Sequence, residues 1–91
     1  MSLEQLVLLA DALRPHTRAK IVDYPALAAV AGATTARLHG VPVHISVENA
    51  ARTASRLILK LQPLSSHNET FARLVSDTMR ELALSGTLIK V

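Results

Sequence analysis

Gln62-Pro63-Leu64-Ser65-Ser66-His67-Asn68-Glu69-Thr70-Phe71-Ala72 is the stretch on which the reading of this chain turns. Apolar residues recur at helical spacing on both sides of it. Upstream, Val47, Ala50, Ala51, Ala54, Leu57, Ile58 and Leu61 form one face, with Arg52, Arg56 and Lys60 largely on the other. Downstream, Phe71, Leu74, Val75, Thr78, Met79 and Leu82 share a face. The spacing predicts two amphipathic helices joined by a short polar turn, with Pro63 ending the first and Gly86 the second. The free N–H groups at the start of the second helix carry partial positive charge and suit an anion. Ser65, Ser66 and Asn68 are equally ordinary helix-capping residues.

Working outward, Ser2 and Gln5 have capping-box spacing, and Leu3, Leu6, Val7, Ala10 and Leu13 follow as one helix face. Pro15 is expected to stop that helix, because proline disfavours helical geometry in the residue before it. A basic connector, Arg14 to Lys20, comes next. Asp23 and Pro25 suit the start of a second helix, with Leu27, Val30 and Ala31 buried and Gly32 as its end. Ser46 is the expected cap of the third. Between them, Leu38, Gly40, Val41, Pro42, Val43 and Ile45 read as an extended or hairpin-like segment. The tail, Thr87-Leu88-Ile89-Lys90-Val91, has strand propensity and needs a partner for its backbone, either the 38–45 segment or another chain. The expected fold is a single, mostly all-α domain over residues 1–91. It has about four helices, a hairpin-like flap near 37–45 and a strand-like C-terminal tail.

Composition narrows the function classes. The chain has no cysteine, which rules out disulfides and thiolate metal sites and fits a reducing compartment. Ten Lys and Arg against seven Asp and Glu leave a net charge of +3, compatible with an anionic partner without requiring one. Residues 1–6 lack the basic start of a secretory signal, and no uncharged apolar run approaches the roughly 20 residues a bilayer crossing needs. A cytoplasmic protein without a membrane partner is expected. His16, His39 and His44 have no tight ligand spacing, so no metal is assigned.

Further segments carry a family resemblance. Val22-Asp23-Tyr24-Pro25-Ala26-Leu27-Ala28-Ala29 resembles the short helix of Doc-type proteins in the Fic/Doc (Fido-fold) family. Leu38-His39-Gly40-Val41-Pro42-Val43-His44 is similar to the family's flap, a hairpin that aligns the target by backbone pairing. Glu48 to Ala54 resembles the alanine-rich helix leading into the active loop. The resemblance covers roughly residues 20–90 and implies His39, Gly40, Val41 and Val43 as flap residues. It implies a nucleotide- or anion-binding loop formed by Gln62, Ser65, Ser66, Asn68 and Thr70. It further implies a toxin component of a bacterial toxin–antitoxin pair, an antitoxin partner and, in an active member, a nucleotide with Mg²⁺.

The loop departs from the family pattern His-Pro-Phe-x-Asp/Glu-Gly-Asn-Lys/Arg-Arg. Gln62 stands at the general base, Leu64 at the phenylalanine, Ser66 at the acidic metal ligand and His67 at the glycine. Pro63 and Asn68 are kept, whereas Glu69 and Thr70 replace the basic pair. Losing a general base alone forfeits roughly 10²–10⁴-fold in rate. His67 is the remaining titratable imidazole of the loop and the candidate displaced base.

Two other readings compete. One is a catalytically inactive relative acting as a protein-interaction module through the loop, the flap or the C-terminal strand, the last also offering a route to a homo-oligomer. The other is a small helix-turn-helix DNA-binding protein running from Asp23 to Arg37. Val41-Pro42-Val43 is poor material for its recognition helix, and few aromatics argue against single-strand binding, so nucleic acid is not the expected partner.

Overall fold

Four helices and one short ribbon make up the computed structural model, which describes residues 1–34, 37–38, 41–42 and 47–84. Helix α1 spans Leu3–Thr17, α2 Tyr24–Thr34, α3 Val47–Leu61 and α4 Asn68–Leu84. Strands β1, Arg37–Leu38, and β2, Val41–Pro42, pair antiparallel with Arg37 opposite Pro42 and Leu38 opposite Val41. The protein is all-α, with the ribbon inside the expected flap. His39, Gly40, Val43, Ser46, Gly86 and the tail 87–91 lie outside the described residues.

The capping box at the head of α1 forms as expected. The Gln5 N–H donates to Ser2 Oγ at 3.2 Å, and the Ser2 N–H to Gln5 Oε1 at 2.9 Å. Pro15, however, does not stop α1, which continues to Thr17. At the last turn a proline forfeits one hydrogen bond, here to the carbonyl of the exposed Asp11, where water can replace it. Thr17 Oγ1 donates to the Leu13 carbonyl at 2.9 Å, and the Arg18 N–H donates to the Arg14 carbonyl at 2.8 Å. Arg18, left-handed at φ 59, is the real terminus, so the connector is 18–23 and not 14–20.

Gly32 likewise does not end α2. It lies on the exposed side, where the roughly 1 kcal/mol of lost helix propensity is tolerable, and the helix runs on to Thr34. There the Thr34 hydroxyl reaches the carbonyls of Val30 at 3.1 Å and Ala31 at 3.0 Å. At the other end, Asp23 Oδ1 accepts from the Ala26 N–H at 3.0 Å and caps the helix.

Helices α3 and α4 form the most extensive pair, and α2 packs on α3 while α1 touches α2 and α4. The centre of the seam follows the spacing, but Leu61, expected on the α3 face, is exposed at the helix end, and Ala72 and Ser76, not expected on the α4 face, are buried. Ala50, Ala51, Ala54 and Ile58 of α3 are buried together with Phe71, Ala72, Val75 and Met79 of α4. Leu6, Leu27 and Val30 complete the core from α1 and α2. The small alanines of the α3 face and the fully buried Phe71 of α4 belong to one core cluster. Among the described residues no helix is long and apolar enough to cross a membrane.

Outside the core, Arg80 ties α4 back to α3. Its Nη2 and Nε meet the Glu48 carboxylate at 2.9 and 3.1 Å, and its Nη1 meets Asp77 at 3.2 Å. The hydrogen bond from Arg80, and then its charge, hold the Glu48 carboxyl below the usual carboxylate value. A carboxyl depressed in the folded state stabilises above its unfolded value, 4.5, and that contribution fades as pH falls through the folded value. Glu48→Gln should therefore lower the Tm slightly at pH 7, by an amount that added salt reduces. The difference from wild type should vanish in thermal melts taken progressively below pH 4.5.

Candidate functional site

The polar turn begins where α3 ends in a left-handed residue. Gln62 adopts φ 47, and its N–H donates to the Ile58 carbonyl at 2.9 Å. Such a C-terminal residue is usually glycine, because a side chain in this conformation costs about 1–2 kcal/mol. Pro63 is fully buried behind it, and Leu64 is 3% exposed.

At Leu64 the turn pairs with the connector between α1 and α2. Ile21 and Leu64 form an isolated antiparallel bridge. The Val22 N–H donates to the Pro63 carbonyl at 2.8 Å and the Ser65 N–H to the Lys20 carbonyl at 2.8 Å. Ser65 Oγ also accepts from the Lys20 N–H at 3.0 Å, and the Asp23 N–H reaches the Pro63 carbonyl at 3.2 Å. These bonds lie on either side of the Ile21–Leu64 pair. In an antiparallel pair of this kind, the N–H and C=O of the facing residues themselves point outward, away from each other.

Asn68 meets the outward-pointing groups of Leu64. Its Oδ1 accepts from the Leu64 N–H at 3.0 Å, and its Nδ2 donates to the Leu64 carbonyl at 3.0 Å. One carboxamide thereby replaces the peptide groups of a further strand. Asn68 neither caps the free amides of α4 nor points them at a ligand; both halves of its amide are engaged inside the turn.

The remaining candidates divide by position. His67 is exposed and left-handed at φ 58, its Nδ1 is 2.9 Å from Ser66 Oγ, and its carbonyl accepts from the Phe71 N–H at 3.0 Å. Gln62, Ser66 and Thr70 are exposed, with Glu69 beside them on the first turn of α4. Residues 62–67 form a short turn between α3 and α4, and 68–70 are the first turn of α4. Among the flap candidates, Val41 lies in β2, whereas His39, Gly40 and Val43 fall outside the described residues.

Among the described residues no three His, Asp or Glu side chains converge as ligands. The pairing partners Lys20, Ile21 and Val22 were not among the sequence candidates. Their signal was faint: two β-branched residues between a charged connector and a helix cap. No protein-family model, curated protein or solved structure matches the chain.

Asn68→Ala removes both partners of the buried Leu64 backbone and should cost about 2–3 kcal/mol in denaturant unfolding. Asn68→Asp should also destabilise, because a carboxylate cannot donate to the Leu64 carbonyl. His67→Gly should do the opposite and raise stability by about 1 kcal/mol, as the left-handed backbone no longer carries a side chain.

Proposed function

We propose that this chain is a divergent Doc-like component of a bacterial toxin–antitoxin pair, cytoplasmic, that acts by protein contact and not by phosphate or nucleotide transfer. The observation that carries the second half of this reading is the engagement of Asn68 with Leu64. In the family pattern that asparagine, the neighbouring glycine and the helix terminus cradle phosphate. Here the Asn68 amide closes the turn, and the Ser65 N–H is bonded to the Lys20 carbonyl. Gln62 cannot take up a proton at neutral pH, the imidazole of the candidate base His67 is within hydrogen-bond reach of Ser66 Oγ, and the exposed Glu69 adds negative charge where a triphosphate would lie.

The kinship half draws support from the order of parts: short helix, ribbon, alanine-rich helix, polar turn, helix. It also draws support from His67, whose φ of 58 suits the glycine the family has at that position. The turn is pinned by bonds from Asn68 and to Lys20, although the groups that would do the chemistry differ from the family's. Such a turn, held between two packed helices, suits recognition of a protein surface, with an antitoxin as the expected partner.

A helix-turn-helix reading would need a second helix soon after α2, and β1 and β2 occupy that part of the chain. Calorimetry with ATP and GTP, with and without Mg²⁺, should show no binding. Tight Mg²⁺-dependent binding would instead overturn the reading that the turn no longer handles nucleotides. Expression without the neighbouring gene should slow growth and co-expression should relieve it; harmless expression alone would remove the toxin assignment.

A further inference from the structure

Two edges of the Ile21–Leu64 bridge point outward, and they end differently. The edge at Leu64 is closed by Asn68. The edge at Ile21 is open: among the described residues its N–H and C=O have no hydrogen-bond partner. Ile21 is also half-buried and lines a cavity of about 210 Å³ between the C-terminal half of α1 and the connector.

The chemistry around that cavity is specific. Arg14, Lys20 and Tyr24 line it together with Ile21, and Asp11 sits on the same rim. The Arg14 and Lys20 side chains are exposed, and neither takes part in an ion pair. Arg14 and Asp11 also border a wider depression of about 440 Å³ running along α1 past Pro15. Tyr24, the first residue of α2, is 56% exposed, and Val22 in the connector is 63% exposed.

We propose that the open edge at Ile21 receives an extended acidic segment of a partner protein as an added strand. The backbone of that segment exchanges N–H and C=O bonds with Ile21, as peptides do at exposed sheet edges. Its acidic side chains meet Arg14 and Lys20, and an apolar side chain packs on Tyr24. Asp11 leaves the rim with one net positive charge, which favours a peptide that places its carboxylates over a free anion such as phosphate. The lateral bonds to Pro63 and Ser65 already hold the connector in extended form, so little ordering is required of the receptor on binding. This site is separate from the exposed face of the 62–70 turn, and its existence does not depend on the Doc-like reading.

The test uses the whole chain, ¹⁵N-labelled, and the peptide acetyl-Val-Glu-Val-Glu-Val-amide as probe. The Ile21 amide resonance should shift saturably, and its hydrogen exchange should slow on titration. The double variant Arg14→Glu/Lys20→Glu should weaken binding by about tenfold or more and come to prefer acetyl-Val-Lys-Val-Lys-Val-amide. Both positions are exposed, and circular dichroism of the variant should match the parent. A fully N-methylated probe, unable to donate backbone bonds, should not bind. Equal binding of the lysine peptide to the parent chain would overturn the proposal. So would an Ile21 amide left unmoved at saturation, or undiminished binding of the N-methylated probe.

Discussion

The joint of this molecule depends on one side chain behaving as a strand. Leu64 is buried with its peptide groups directed away from Ile21, and buried peptide groups without partners are costly. The Asn68 carboxamide supplies donor and acceptor at the spacing a neighbouring peptide would offer, and does so from the first residue of α4. The start of α4, the end of α3 and the connector 18–23 are thereby locked into one knot. Left-handed residues at Arg18, Gln62 and His67 let the chain reverse tightly enough to tie it.

That knot also consumes polar groups that an anion site at this turn could use. An anion site needs N–H groups aimed outward and a donor side chain free to follow them. In this chain the Ser65 N–H and the Asn68 amide are directed inward, to Lys20 and Leu64. The positive charge lies elsewhere. Among the described residues, only Arg80 of the basic side chains forms an ion pair, which leaves Arg14 and Lys20 free on the connector side.

Periodicity made the helices legible because burial of one face leaves a pattern in the residues themselves. The centres of the α3 and α4 faces came out as read, Ala50, Ala51, Ala54 and Ile58 with Phe71, Val75 and Met79, whereas Leu61 is exposed and Ala72 and Ser76 joined the buried side. Helix ends were less legible. Pro15 and Gly32 look like stops, but each costs little where it stands, one in a last turn open to water and one on an exposed face. The true terminus of α1 is Arg18, a residue with no intrinsic preference for left-handed backbone.

Asn68 stood out in the sequence as a polar residue at a helix start, and capping, loop bonding and anion binding all fitted that position. Choosing among them required knowing which buried peptide groups lacked partners, and that depends on where Leu64 lies relative to Ile21, forty-three positions away. Amino-acid order alone thus determined that there are four helices, the centres of their buried faces and the place of the polar joint, since these follow from local spacing and hydrophobicity. Only the tertiary structure decided what the joint does, because hydrogen-bond demand at a buried backbone is set by neighbours remote in the chain.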